Sequence, residues 1–243
     1  APVCAAPLDY LYYFGFDSTL TDYDGTGTGT ATSSAGVSYS ATGGIDGSGA
    51  ASFSGADTND GITVAENLSE AAFAAMTWGA WVKSDGLGGS LQGILSTDNG
   101  GFDRLLGIDT RSSVLSGRNY AAFNGSVYDM AAIVTDEWIH LAAAYDGSTV
   151  ALYVNGAHLT TISESWTSST SMRSSFVIGA NPNFSEEFSG VMDDVFVYGR
   201  TLDATEIADI YTNGFTTAVP LPAALPLMIA GLGGLAAMRR RAA

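Results

Sequence analysis

The chain has 243 residues, 46% of them hydrophobic, which is enough to bury the core of one all-β domain. Acidic side chains outnumber basic ones 25 to 9, for a net charge of −16. A surface that negative repels phosphate backbones, which excludes nucleic acid as a partner and favours divalent cations. A lone cysteine, Cys4, rules out an intramolecular disulfide, and 30 glycines beside a single lysine, Lys83, suit a turn-rich β protein.

The opening stretch APVCAAP begins at Ala1 without an initiator Met, and residues 1–7 are expected to be the remnant left after an export signal is removed. Cys4 falls in this loose terminus. Leu11 to Phe16, LYYFGF, predicts the first strand. The Gly/Thr/Ser/Ala-rich run from Thr21 to Gly61 predicts loops and edge strands, with short strands at Gly36–Ser40 and Ala50–Phe53. From Met76 the segment MTWGAWVK alternates Trp78, Ala80 and Val82 against Thr77, Gly79 and Trp81, a strand with large residues on both faces. Further strands are expected at Gln92–Ser96, Arg104–Ile108, Tyr120–Phe123 and Ser126–Ile133.

The clearest pattern runs from Trp138 to Ser163, where Asp146-Gly147 and Asn155-Gly156 separate three strand-like runs. Gly after Asn or Asp supplies the positive φ that tight hairpin turns need, so an antiparallel meander at the centre of a β-sandwich is predicted. Strands at Phe176–Gly179 and Phe188–Tyr198 follow. In the last of these, simple alternation puts Asp193 and Asp194 on opposite faces, Asp193 sharing one with Val195 and Val197. A single helix is marked at both ends, by Asp203 and Glu206 as a capping box, Leu202 and Ile207 as a staple, and Asn213-Gly214 as the stop.

The segments Trp78–Lys83, WIHLAAAYDG, ALYVNG and GVMDDVFVYGRTLDATEIADIY occur in that order. In that order they resemble the laminin-G-like, concanavalin A-like jelly-roll domains of secreted bacterial proteins. The resemblance spans roughly Leu8 to Gly214 and implies an all-β antiparallel sandwich with one short capped helix. It also implies a structural Ca²⁺ between an acidic N-terminal loop and the acidic pair of the last strand. The matching positions here are Asp22, Asp24 and Asp193. Taken on their own, these carboxylates fit solvated turn and edge positions equally well.

Aromatic side chains could stack on sugar, and Trp166, in the polar run SESWTSSTS, is the one expected to be exposed; Trp81, Trp138, Tyr120 and Tyr128 read as core. His140 and His158 are too few and too separated for a metal or catalytic pair. Glucanases on the resembled fold use a Glu-x-Asp-x-x-Glu pattern, which this sequence does not contain, so a binding module and not an enzyme is expected.

The character changes at Val219, where VPLPAALPLMIAGLGGLAAM runs twenty residues without a charge into Arg239, Arg240 and Arg241. As a helix, that length spans about 30 Å, a bilayer core. A separate C-terminal transmembrane helix is therefore expected, with the arginines on the cytoplasmic side. The order Val219, Pro220, Leu221, Pro222, Ala223, apolar stretch and arginine cluster resembles the VPLPA variety of C-terminal sorting signal. That resemblance implies an exosortase-type membrane transpeptidase as partner, transient anchoring in the inner membrane, and delivery to the cell surface or extracellular matrix.

The organisation expected is thus a remnant over 1–7, a jelly-roll domain over 8–214, a linker over 215–218 and a sorting signal over 219–243. The domain would bind a glycan or protein ligand outside the cell. A polysaccharide-degrading enzyme and a ligand-free matrix protein are the alternatives.

Overall fold

The structure is a computed structural model that describes residues 7–55, 60–69, 72–86, 90–97, 104–111, 116–123, 125–164, 174–181 and 186–215. Cys4, Trp166, the Val219–Ala223 motif, the arginines 239–241 and the predicted membrane helix lie outside these residues. Among the described residues no helix is long and apolar enough to cross a membrane.

Among the described residues, short alternating runs broken by Gly, Asn and Asp form fifteen strands. The first half holds β1 (Tyr12–Phe14), β2 (Ala31–Ser33), β3 (Val37–Ser40), β4 (Ala50–Ser54), β5 (Ile62–Val64), β6 (Met76–Ser84) and β7 (Leu91–Ser96). Then come β8 (Leu105–Asp109), β9 (Arg118–Phe123), β10 (Ser126–Ala132), β11 (Ile139–Tyr145), β12 (Thr149–Val154) and β13 (Ala157–Ser163). The last elements are β14 (Phe176–Ile178), β15 (Ser189–Tyr198) and the helix α1 (Ala204–Asn213). Two antiparallel sheets result: β13-β12-β11-β6-β15-β4-β3, with β1 also pairing β15, and β10-β9-β8-β7-β14-β5-β2.

Sequence alternation located most of these strands but not β2 or β5, whose short Ala-Thr-Ser and Ile-Thr-Val runs carry little periodic signal. The meander β11–β13 was expected at the centre. Instead it runs from the middle of its sheet to the edge, and the exposed β13 is the outermost strand. The middle belongs to β6 and β15, which like β11 beside them are buried on both faces. One face of each packs into the sandwich core with Phe14, Ile94, Phe123, Leu141 and Phe176. On the other side Phe196 and Tyr198 form a second apolar layer under α1 with Ala142, Tyr153, Leu202, Ile207 and Ile210.

The helix is held as its sequence predicts. Asp203 accepts hydrogen bonds from the Thr205 and Glu206 backbone N–H groups, and the Glu206 side chain accepts from the Asp203 N–H, which completes the capping box. Arg200 then bridges Glu206 and Asp9, both by paired contacts of 2.7–3.0 Å, and so ties the N-terminal segment to the helix start. Asp203→Ala removes the acceptor for two orphan N–H groups. It is expected to lower stability by about 1 kcal/mol in denaturant unfolding, with no change in the m-value.

Candidate functional site

The site begins with an irregularity in β15. Asp193 pairs with Trp81 and Phe196 with Gly79, so two residues of β15 stand opposite one residue of β6. Asp194 supplies the extra position by adopting φ 47°, a left-handed conformation that Asp tolerates better than most residues. The bulge resets the alternation: Met192, Val195 and Val197 face the core while Phe196 packs under α1. Asp193 therefore does not share a face with Val195 and Val197, as unbroken alternation implied. It lies opposite Trp81 on the helix-bearing side.

Both carboxylates turn toward two N-terminal loops. The Asp193 Oδ2 accepts from the Ile45 N–H at 3.0 Å and from the Ser48 hydroxyl at 3.5 Å, and its Oδ1 accepts from the Asp194 N–H at 2.8 Å. Asp194 accepts from the Tyr13 hydroxyl at 2.6 Å. Asp17 accepts from the Gly49 N–H at 3.3 Å, which pins the start of one loop to the end of the other. Tyr13 and Asp24 exchange backbone hydrogen bonds of 2.9 and 3.0 Å, closing the 17–24 loop beside the bulge. The loop of residues 42–49 can approach this closely because it is glycine-rich: a Cβ at Gly44 would overlap the Asp193 carboxylate, and one at Gly49 the Phe16 carbonyl.

The result is a cleft of about 570 Å³ at the C-terminal end of α1. Asp17, Asp24, Asp46 and Asp194 line it together with Trp81 and Tyr211, and among the described residues no Lys or Arg lines it. Tyr211 stacks on Trp81 with ring centroids 5.2 Å apart. Burial, then the neighbouring Asp194 charge, pushes the Asp193 carboxyl up to about 7. Burial also raises Asp194 to about 6, the Asp46 and Asp17 charges adding to it against the Tyr13 hydrogen bond. Beneath Trp81 lies His140, fully buried with both ring nitrogens unpartnered among the described residues; burial holds its pKa down at about 3, so it is a neutral packing group at ordinary pH.

The residues anticipated for a metal are distributed over this region. Asp24 lines the cleft and Asp193 sits buried behind it, whereas Asp22 faces a neighbouring cleft and accepts from Ser18 at 3.3 Å. Asp17 and Asp46 were not singled out in the sequence, and Asp194 figured there as the other half of the acidic pair but not as a ligand; the glycines around Asp46 in ATGGIDGSG were the only signal pointing to a tightly folded loop. The oxygen-rich set suits a hard cation such as Ca²⁺, and two carboxyls pushed up by burial and like charges are what a dication would relieve. Among the described residues no three His, Cys, Asp or Glu side chains stand close enough to hold a metal by themselves. Bound Ca²⁺ would thus draw on backbone carbonyls and water as well.

Two stacked antiparallel sheets, with loops from one end shaping a carboxylate and aromatic cleft, define a lectin-like jelly-roll module. The laminin-G-like family described as the concanavalin A-like lectin/glucanases superfamily matches residues 54–208, and the chain belongs to that family. Domain 4 of AbnA, an extracellular arabinanase from Geobacillus stearothermophilus solved in complex with arabinotriose, is similar at TM-score 0.62 and 21% identity, over 84% of this chain and 98% of that one. The botulinum neurotoxin type G receptor binding domain is similar at TM-score 0.61 and 12% identity, over 84% of this chain and 51% of its own. The Trypanosoma rangeli sialidase is similar at TM-score 0.64 and 14% identity, over 86% of this chain and 33% of its own. At these identities the likeness is one of fold, and the chain spans about half of the toxin domain and a third of the sialidase. A search of the curated proteins finds no match.

Proposed function

We propose that this is an exported bacterial surface or matrix protein whose jelly-roll module binds an extracellular glycan or protein without turning it over. The observation that carries the reading is the open cleft at the β15 bulge, where carboxylates and the stacked Trp81–Tyr211 pair stand side by side on a lectin-family sandwich. Aromatic faces suit the C–H face of a sugar and carboxylates accept from its hydroxyls. Ca²⁺ in the cleft would take one or two of the Asp17, Asp46 and Asp194 carboxylates and complete its shell with backbone carbonyls and water, with Asp24 alongside and Asp193 bracing the loop from behind. There it would neutralise the carboxylates and fix the two loops. Delivery would use the C-terminal tail: recognition of Val219–Ala223 by an exosortase-type transpeptidase, transient retention by the apolar stretch, and removal of Arg239–Arg241 on processing.

A glycan array run with Ca²⁺ and with EDTA tests the binding module. Saturable signal that falls on chelation is the expected result, and silence under both conditions overturns it. Polysaccharide turnover abolished by changing one carboxylate would place the chain among the enzymes instead. The tail is tested by mass spectrometry of the mature C-terminus in cells that have the transpeptidase, where an intact arginine cluster would count against processing.

A further inference from the structure

A second cavity, of about 100 Å³, lies where the ends of the two sheets meet. Val82 and Ile139 from one sheet, Asn119 from the other, and Trp138, Glu137 and Asn155 from the connecting turns contribute to its walls. Sequence reading assigned Trp138 to the core, but it is only half-buried, and Lys83 stands 5.0 Å from its ring centroid.

The polar groups here are incompletely used. Asn119 is 2% exposed, and its Nδ2 donates to the Ala131 and Ala132 carbonyls at 3.4 and 3.3 Å. Those carbonyls fix the orientation of the amide and leave its Oδ1 without a donor among the described residues. Asn155, at φ 49° in the β12–β13 turn, accepts from the His140 N–H through Oδ1 at 3.0 Å, and its Nδ2 has no acceptor among the described residues. The cavity therefore offers one acceptor on the buried Asn119, one donor on the exposed Asn155 and an aliphatic wall. Its volume is about that of three waters, room for the nitrogen, carbonyl and methyl of an acetamido group but not for a pyranose ring.

We propose that this cavity seats the acetamido group of an N-acetylated amino sugar. The acetamido N–H donates to Asn119 Oδ1, its carbonyl accepts from Asn155 Nδ2, and its methyl lies against Val82 and Ile139. The sugar ring stays outside, near the indole of Trp138, where Glu137 accepts from a hydroxyl. A sugar without the acetamido group leaves the cavity unfilled and the Oδ1 of the buried Asn119 without that donor, and that makes such a site selective for the acetylated form. The inference rests on the glycan-binding reading and adds a ligand class and a location apart from the acidic cleft.

The test is calorimetric titration of the full chain with the trimer of β-1,4-linked N-acetylglucosamine, its fully deacetylated counterpart, and an N-acetyllysine peptide. Saturable binding of the acetylated trimer is expected, at least tenfold tighter than either of the others. Asn155→Asp keeps the oxygen that bonds His140 and the tolerance for positive φ, but replaces the donor with a repelling carboxylate. It is expected to weaken binding at least tenfold without changing the circular dichroism spectrum. Ala132→Trp, at an exposed rim position, is expected to do the same by blocking the cavity. Failure of the native chain to bind the acetylated trimer, equal binding of the deacetylated trimer or the peptide, or native affinity in both variants would each overturn the assignment. Binding of a different glycan that neither variant disturbs would overturn it too, while leaving the broader reading intact.

Discussion

In the absence of metal, the domain is expected to become less stable as pH rises from about 4 to about 8, and Ca²⁺ is expected to restore what is lost. The sign follows from the bulge carboxyls. Asp193 and Asp194 have folded-state pKa values of about 7 and about 6, above the 3.8 of a free Asp. Between those limits the folded state holds more protons than the unfolded one, so stability present at pH 4 is lost as each group ionises through its folded pKa. For Asp193, which is 1% exposed, the raised value corresponds to on the order of 4 kcal/mol. Thermal melts in EDTA across this range check the slope. A Ca²⁺ titration at pH 8 should then raise the melting temperature in proportion to the logarithm of metal concentration once it exceeds Kd. Asp194→Asn keeps an acceptor for Tyr13 and tolerates the left-handed backbone, so the metal-free variant should be more stable than the native domain at pH 8 and should respond less to Ca²⁺. A flat profile from pH 4 to 8 in EDTA would show that the bulge carboxyls are not held as described.

Gly49→Ala is expected to cost about 3 kcal/mol and to weaken any Ca²⁺ response, far beyond what one methyl costs on an open surface. A Cβ there overlaps the Phe16 carbonyl oxygen, a backbone atom that cannot move aside as a flexible side chain can. Relief requires the 42–49 loop to separate from the Phe16–Asp17 segment that follows β1, which breaks the Gly49 N–H bond to Asp17. Gly47→Ala is the control in the same loop. Gly47, unlike Gly49, has positive φ, 85°, but a Cβ there meets nothing within 4 Å. Its cost should be about 1 kcal/mol, from backbone strain alone. Denaturant unfolding of the two variants would measure the difference; equal losses would mean that the loop is not wedged against Phe16.

Much of the fold could be read locally. Asn155-Gly156 forms its turn with φ 49° and 73°, the positive pair that such a dipeptide favours. Asp146 accepts from the Ser148 and Thr149 N–H groups at 2.8 and 2.7 Å, which holds the preceding hairpin and keeps its carboxyl down at about 2. The capping box of α1 is equally local, because Asp203 and Glu206 are three residues apart and need no tertiary partner. These features depend on contacts within a few residues, so their geometry is written in short words of sequence.

The cleft was legible only in part. The last strand's acidic pair and the N-terminal Asp-rich loop stood out, but not Asp17 or Asp46, which resemble any turn carboxylate until the loops are folded together. The bulge is harder still. Nothing in GVMDDVFVY interrupts the strand pattern, and the extra residue is visible only where β15 is laid against β6. Trp138 was misassigned for a similar reason: whether an indole is covered depends on what the other sheet places over it.

The sequence by itself determined the class of fold, the capped helix, the hairpin turns and the large excess of negative charge, since each follows from period, spacing or composition. Tertiary structure alone decided which face Asp193 takes, which carboxylates share a cleft and which aromatic side chains reach solvent. Those outcomes depend on registers and approaches between distant segments: Ile45 and Asp193 are 148 residues apart, and Tyr13 and Asp194 are 181 apart. Free energy at such distances is set by the packing of the whole sandwich, and no local pattern encodes it.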